Sequence, residues 1–200
     1  MNGKMILSSM FLAVVLIGCA STKVSRVEVN RPIDLSGGWN DYDAQLVSQE
    51  MITDCLDKPW LTTHMKEKQK NPVVIVGHIE NRSDEHINTQ VFTKELERSL
   101  LNSGKVNFVA SPQERDQVRE EREDQQRGNT SPESLKKMGR ELGADFMLIG
   151  SLNSVKDEVK GKMASFYQAN LELINLETNE KVWIGQKEIK KMIEQKRFSL

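Results

Sequence analysis

Apolar positions along this chain follow three different spacings, and each predicts a different kind of element. The first is an unbroken apolar or small run from Met5 to Ile17 with no polar face. The second is helical. Leu46, Val47, Met51, Ile52, Cys55 and Leu56 fall on one face of a helix near 43–56. Phe92, Leu96 and Leu100 mark another, capped by Asn88 or Thr89 and stopped by Gly104. Leu135, Met138 and Leu142 mark one more, opened by Ser131-Pro132-Glu133 and ended by Gly143. The third spacing is that of strands. Val73-Val74-Ile75-Val76 is a β-branched run suited to a buried strand, Val106–Val109 alternates, and 146–152 is apolar. Met163, Tyr167, Ala169, Leu171 and Leu173 share one face of a further strand, opposite Phe166, Gln168, Asn170 and Glu172. A turn at Glu177-Thr178-Asn179 leads into Val182-Trp183-Ile184, which predicts a closing antiparallel hairpin.

The order helix, strand, helix, strand, helix, then a run of strands predicts an α+β fold. A mixed, partly antiparallel β-sheet is flanked by helices in a single compact domain spanning 41–200. Between these elements the chain is polar. Pro59-Trp60-Leu61 interrupts the first helical pattern and a Lys-rich segment runs to Pro72; 81–88 reads as a polar loop. Residues 113–127 carry charges of both signs and only Val118 as an apolar residue, so they read as a solvated helix or a mobile loop. Residues 19–40, with Pro32 and Gly37-Gly38, have neither period and read as a flexible tether.

Charge and cysteine content narrow the function classes. Twenty-eight Lys and Arg against 29 Asp and Glu leave a formal charge of −1, without the basic excess of a nucleic-acid binder. Two cysteines are too few for a disulfide scaffold or a four-thiolate zinc site. Cys55 lies on an apolar helical face and reads as a buried, inert thiol.

The N-terminal run carries a single charge, Lys4. As a helix it spans only about 20 Å, short of the roughly 30 Å of a bilayer core, so 1–18 reads as a secretory signal peptide. Leu16-Ile17-Gly18-Cys19 resembles the bacterial lipobox. That resemblance implies cleavage before Cys19, lipid attachment to its sulfur and acylation of the new amine. Several acyl chains at about 0.8 kcal/mol per buried CH₂ hold a protein stably on a membrane. Ala20 in place of Asp favours, by the sorting rule this resembles, the outer membrane. Loss of Lys4 takes the formal charge from −1 to −2, with 27 basic groups against 29 acidic, so lipid rather than a basic patch is the anchor.

Catalytic patterns are missing. Gly37-Gly38 lacks the Lys-Ser/Thr ending of a phosphate-binding loop, and no Gly-x-Ser-x-Gly elbow occurs. His78, Glu80, Glu85 and His86 are near one another in sequence without the i, i+4 helical spacing of a metal motif. No catalytic residue, metal or cofactor is expected.

One set of motifs is nonetheless specific in its order. Val76-Gly77-His78-Ile79-Glu80-Asn81-Arg82-Ser83-Asp84-Glu85-His86-Ile87-Asn88-Thr89 precedes Phe92 and a Leu-rich helix. Ser103-Gly104-Lys105-Val106, Glu141-Leu142-Gly143-Ala144-Asp145, Gly150-Ser151-Leu152, Leu171-Glu172-Leu173 and Leu176–Trp183 follow. From about Asn71 to Lys190 the chain resembles the LpoB family of outer-membrane lipoproteins. The resemblance implies a periplasm-facing binding module, not an enzyme. Its protein partner would be a bifunctional penicillin-binding protein, a peptidoglycan glycosyltransferase and transpeptidase that it activates in cell-wall synthesis. The membrane would be met only through the lipid, and nucleic acid not at all. The domain is also similar to the TolB amino-terminal domain and to curli-secretion lipoproteins, so an envelope-assembly role is the alternative. The family pattern includes a long proline-rich tether, and here the segment before the first helix is short. The polar loop supplies the candidate contact residues Asn81, Arg82, Glu85 and His86; equally, Asn81 and Asp84 are residue types that satisfy a local turn.

Overall fold

The structure, a computed structural model, describes residues 24–28, 31–129, 131 and 142–194. The expected signal peptide, Cys19 and most of the helix expected after Ser131 lie outside them. The chain divides into two units, Met1–Arg31 and Pro32–Leu200. In the first, the Arg31 amide donates to the Glu28 carbonyl.

In the second unit, helix α1 (Asp41–Leu56) starts where Asn40 closes a reciprocal capping box with Asp43, each side chain accepting from the other's amide at 3.0 Å. Its buried residues Ala44, Val47, Ser48, Met51, Ile52 and Cys55 follow helical spacing. Pro59 ends that pattern but also begins helix α2 (Pro59–Lys68). At the first helical position proline forfeits an amide that has no intrahelical partner, and its φ is already helical. The Lys-rich segment is thus a helix on its own short apolar face of Trp60, Leu61 and the half-apolar His64. Trp60 ties the two helices by donating its indole NH to the Cys55 carbonyl at 2.7 Å.

Strand β1 (Val73–Arg82) runs beyond the apolar run that predicts it, through a register irregularity between Val76 and Ile79. Helix α3 (Thr89–Asn102) is capped by Asn88, whose side chain accepts from the Gln90 amide at 3.0 Å, and is followed by Gly104 at φ 67°. Strand β2 (Asn107–Phe108) is only a two-residue edge. The charge-rich stretch is helix α4 (Pro112–Asp124), opened by a Ser111–Glu114 capping box and continued by a π-helical turn at Gln125–Asn129.

Three 14-residue strands complete the sheet: β3 (Phe146–Val159), β4 (Lys162–Asn175) and β5 (Lys181–Glu194). The sheet order is β2-β1-β3-β4-β5, with β1 parallel to β2 and β3, and the last two pairings antiparallel. This is the expected α+β architecture. A two-residue turn, Lys160-Gly161, joins β3 to β4 with positive φ at both positions, the twist that a tight hairpin requires.

Helices α1 and α3 pack on one face of the sheet. Phe92, Leu96 and Leu100 of α3 meet Leu148, Leu152, Leu171 and Leu173 there, all at 1% exposure or less. The alternation in β4 places Ser165, Tyr167, Ala169, Leu171 and Leu173 on this covered face. Since β1 ends with Arg82 beside Asn153, the strands β3, β4 and β5 continue past it as a three-stranded arm about 20 Å long.

Candidate functional site

The loop that follows β1 is held by its own side chains before anything distant touches it. The Asn81 carboxamide donates to the Glu85 carbonyl at 2.8 Å and accepts from the Ser83 amide at 3.0 Å and hydroxyl at 2.6 Å. This is the side-chain-for-backbone substitution that Asx residues perform in turns. Asp84 accepts from the Ser154 hydroxyl, and its own amide donates to Ser154 Oγ at 3.2 Å, fixing the loop to β3. Hydrogen bonds from Ser154 and Lys156 hold the Asp84 carboxyl below its ordinary value.

Glu85 turns inward and collects three donors from three parts of the chain. They are the Tyr167 hydroxyl at 2.5 Å, the Lys156 ammonium at 2.9 Å and the Trp39 amide at 3.2 Å. Partial burial pushes its carboxyl up, but these three outweigh that and hold it below the usual carboxylate range. The Tyr167 phenol is pushed well above its ordinary value, first by burial and then by the carboxylate it faces.

The Trp39 amide belongs to a strap. Residues 34–40, the end of the stretch expected as tether, lie across the covered face of the arm. Lys191, 10% exposed, donates to Asp34 at 2.6 Å, to Asp43 at 2.6 Å and to the Gly38 carbonyl at 3.0 Å. Burial alone would lower the Lys191 ammonium; the two carboxylates more than offset it and hold it above its ordinary value. Gly37 sits at φ 70° with its α-carbon face so close to Ile193 that a β-carbon would lie 2.3 Å from that side chain. The Trp39 ring packs on Phe92 and Tyr167, each at 5.8 Å between centroids.

The four candidate contact residues therefore divide. Asn81 and Glu85 hold the loop, while Arg82 and His86 are exposed, Arg82 pairing at 2.7 Å with Glu80. Beside them the uncovered face of the arm mixes apolar and charged side chains. Val155 stands opposite the half-buried Phe166, and Ala164 lies between Asp157 and Met192. Val155, Val159 and Met192 are each 64% exposed. A one-sided antiparallel sheet ordinarily carries polar residues there; here the apolar residues alternate with the exposed Asp157 and Lys190. The period-2 pattern of β4 places Phe166 on the face opposite Tyr167, but Trp39, Lys156, Lys191, Val155 and Met192 belong to no motif. Only the Trp after Gly37-Gly38 and the even-numbered apolar residues of β4 offered a signal.

Elsewhere the chemistry is structural. Cys55 is 1% exposed, and burial pushes its thiol up to about 12. His64 Nε2 is buried and stands 3.8 Å from Asp145, whose carboxylate accepts from the Val73 amide at 2.8 Å. Among the described residues, His78 and Glu80 do not gather with Glu85 and His86 into a metal-holding group of three. No helix among them is long and apolar enough to cross a membrane.

A family model described as "Peptidoglycan-synthase activator LpoB" matches residues 43–189, well over half of the chain. Among solved structures, the LpoB C-terminal domain from Escherichia coli is 22% identical, covering 75% of this chain and 100% of that one with a TM-score of 0.46. The corresponding domain from Salmonella enterica is 21% identical, covering 77% and 100% with a TM-score of 0.40. The NMR structure of E. coli LpoB is 15% identical, covering 94% and 88% with a TM-score of 0.40. No curated protein matches the chain significantly.

Proposed function

The chain belongs to the peptidoglycan-synthase activator LpoB family, and on that premise we propose that it is an outer-membrane lipoprotein that binds and activates a bifunctional penicillin-binding protein. The family match across 43–189 carries this reading. The family is one of regulatory activators, and the candidate site holds a loop in place rather than pairing a nucleophile with a base.

In this reading residues 1–18 are removed, Cys19 carries the lipid, and the domain faces the periplasm. The synthase docks on the loop and the adjoining bare face of the arm. Arg82 and His86 contribute exposed polar contacts, Val155, Phe166 and Met192 an apolar centre, and Asn81 and Glu85 fix the loop from within. Polar rim and apolar centre together suit a protein partner better than a small molecule. Activation then requires only that the synthase bind tighter in its active than in its inactive conformation. A tenfold shift in that equilibrium needs about 1.4 kcal/mol of differential binding.

The test is glycan polymerisation and peptide cross-linking by the cognate synthase with and without the mature protein. Stimulation of both supports the proposal; absence of binding and stimulation refutes it. Separately, labelled palmitate should tag the wild-type protein and not Cys19→Ala, and an untagged wild type would refute lipidation as its tether.

A further inference from the structure

Away from the loop and the arm, one buried polar atom has no partner within the chain. His64 is 7% exposed, and its Nε2 makes no hydrogen bond among the described residues. An unpaired buried atom of this kind is costly, so it points to a group that the chain itself does not supply. Nε2 faces Asp145 at 3.8 Å, too far for a bond and near enough for one forked donor to serve both. The two residues line a cleft of about 270 Å³ with Lys68, Phe146, Asn175 and Glu177. It lies where β3 begins and β4 ends, about 25 Å along β3 from the Ser154 contact of the loop.

The walls of this cleft are fixed by the chain. The Asp145 amide donates to the Val73 carbonyl at 2.7 Å, and its carbonyl accepts from the Leu176 amide at 3.0 Å. Its Oδ2 accepts from the Val73 amide at 2.8 Å, which leaves Oδ1 without a partner among the described residues. The Asn175 carboxamide accepts from the Glu177 and Thr178 amides at 2.8 and 3.2 Å, holding the turn that carries Glu177. His64 stands edge-on to Phe146 at 5.4 Å between centroids. Lys68 follows it by one turn of α2 and reaches Glu177 at 3.8 Å, both being half exposed or more.

Charge and size choose the occupant. Two carboxylates against one ammonium give the cleft an excess of negative charge, which favours a cation. Both open atoms are acceptors when His64 carries its proton on Nδ1, so they call for N–H donors. The volume is below that of an ordinary small-molecule pocket and admits one functional head, not a nucleotide or a sugar chain. The geometry points to a guanidinium site for an arginine side chain presented by another protein. One N–H donates to Asp145 Oδ1 and a second to His64 Nε2, with Glu177 beside the group at the rim. A planar fork of donors serves two acceptors at this separation better than the point charge of an ammonium. The site is separate from the loop and the arm and does not depend on the docking role proposed for them.

The test is an NMR titration of the isotope-labelled mature protein with Nα-acetyl-arginine amide, read at the His64 ring nitrogens and at the Glu177 and Thr178 amides. The expected result is a saturable shift at all three positions. Nα-acetyl-lysine amide should bind at least about fivefold more weakly, and acetate should give no saturable shift. Asp145→Asn and His64→Phe should each weaken arginine-amide binding by at least about tenfold. The rim variants act in opposite directions: Glu177→Gln should weaken binding about two- to fivefold and Lys68→Met should tighten it by a similar factor. Absence of a saturable shift, a preference for acetate, or undiminished affinity in Asp145→Asn and His64→Phe overturns the site. Hydrogen exchange of the β3–β4 ladder is the control for folding. Should Asp145→Asn and His64→Phe lose that protection, the rim variants decide, and unchanged affinity in both overturns the site. Free arginine should bind no better than the acetylated amide, since the cleft holds only the head of the side chain. A tenfold preference for the free amino acid overturns a protein side chain as the occupant.

Discussion

Replacing Tyr167 by Phe isolates the contribution of one hydroxyl to the joint between loop, arm and strap. The residue has no exposed surface, so the ring that packs against Trp39 is retained, and what is lost is the donor to Glu85 Oε1 and a longer 3.4 Å contact with the Gly37 carbonyl. A hydrogen bond to a charged acceptor contributes about 1.5–3 kcal/mol. Glu85 keeps Lys156 and the Trp39 amide, so the carboxylate is not stranded and the loss stays within that range. For a chain of this size the melting temperature should fall by roughly 3–12 °C. Acidity gives a second signature. The folded state holds the Glu85 carboxyl below its ordinary value, so its stabilisation is present above the unfolded value of about 4.3 and lost as pH falls through the folded one. The gap between wild type and Tyr167→Phe should therefore be full at neutral pH and narrow below about pH 4. On the alkaline side the raised Tyr167 phenol contributes stability that is lost only as pH rises beyond about 10, and the variant lacks that decline. Urea and thermal melts from acid to neutral pH measure these differences. A variant within about 0.5 kcal/mol of wild type at pH 7, with a pH-independent gap, would refute the assigned bond and the Glu85 joint with it.

Three further outcomes follow from other parts of the molecule. Leu171→Ala, at a fully buried position in the middle of the central sheet layer, should cost about 2–5 kcal/mol in a denaturant titration. Cys55 should resist a thiol reagent at pH 8 in the folded protein and react stoichiometrically once unfolded, since burial withholds the thiolate. Val155→Asp should leave the melting temperature within a few degrees of wild type, because the side chain is 64% exposed, yet weaken synthase binding at least about tenfold; equal affinity would remove the arm from the docking surface.

Periodicity alone located α1, α3, the inner face of β4 and the closing hairpin. In each, a stripe of apolar residues repeats at the period of its own backbone, and the caps Asn88 and Gly104 are local chemistry. The same reading marked Pro59 as a break, because α2 has too short an apolar face to declare itself until Trp60 docks on α1 and Phe146. It ended β1 and β3 early because their polar continuations become strands only through partners supplied by β4 and by each other. What sequence could not decide is the work of the loop residues. Glu85 and His86 are equally polar neighbours, and nothing local turns one inward and the other out. That choice is made by Tyr167, Lys156 and Trp39, and the strap by Lys191 meeting Asp34 and Asp43 across about 150 residues. Patterns along a chain record which face of an element is apolar, whereas polar pairings between distant segments exist only once strand order has brought those faces together.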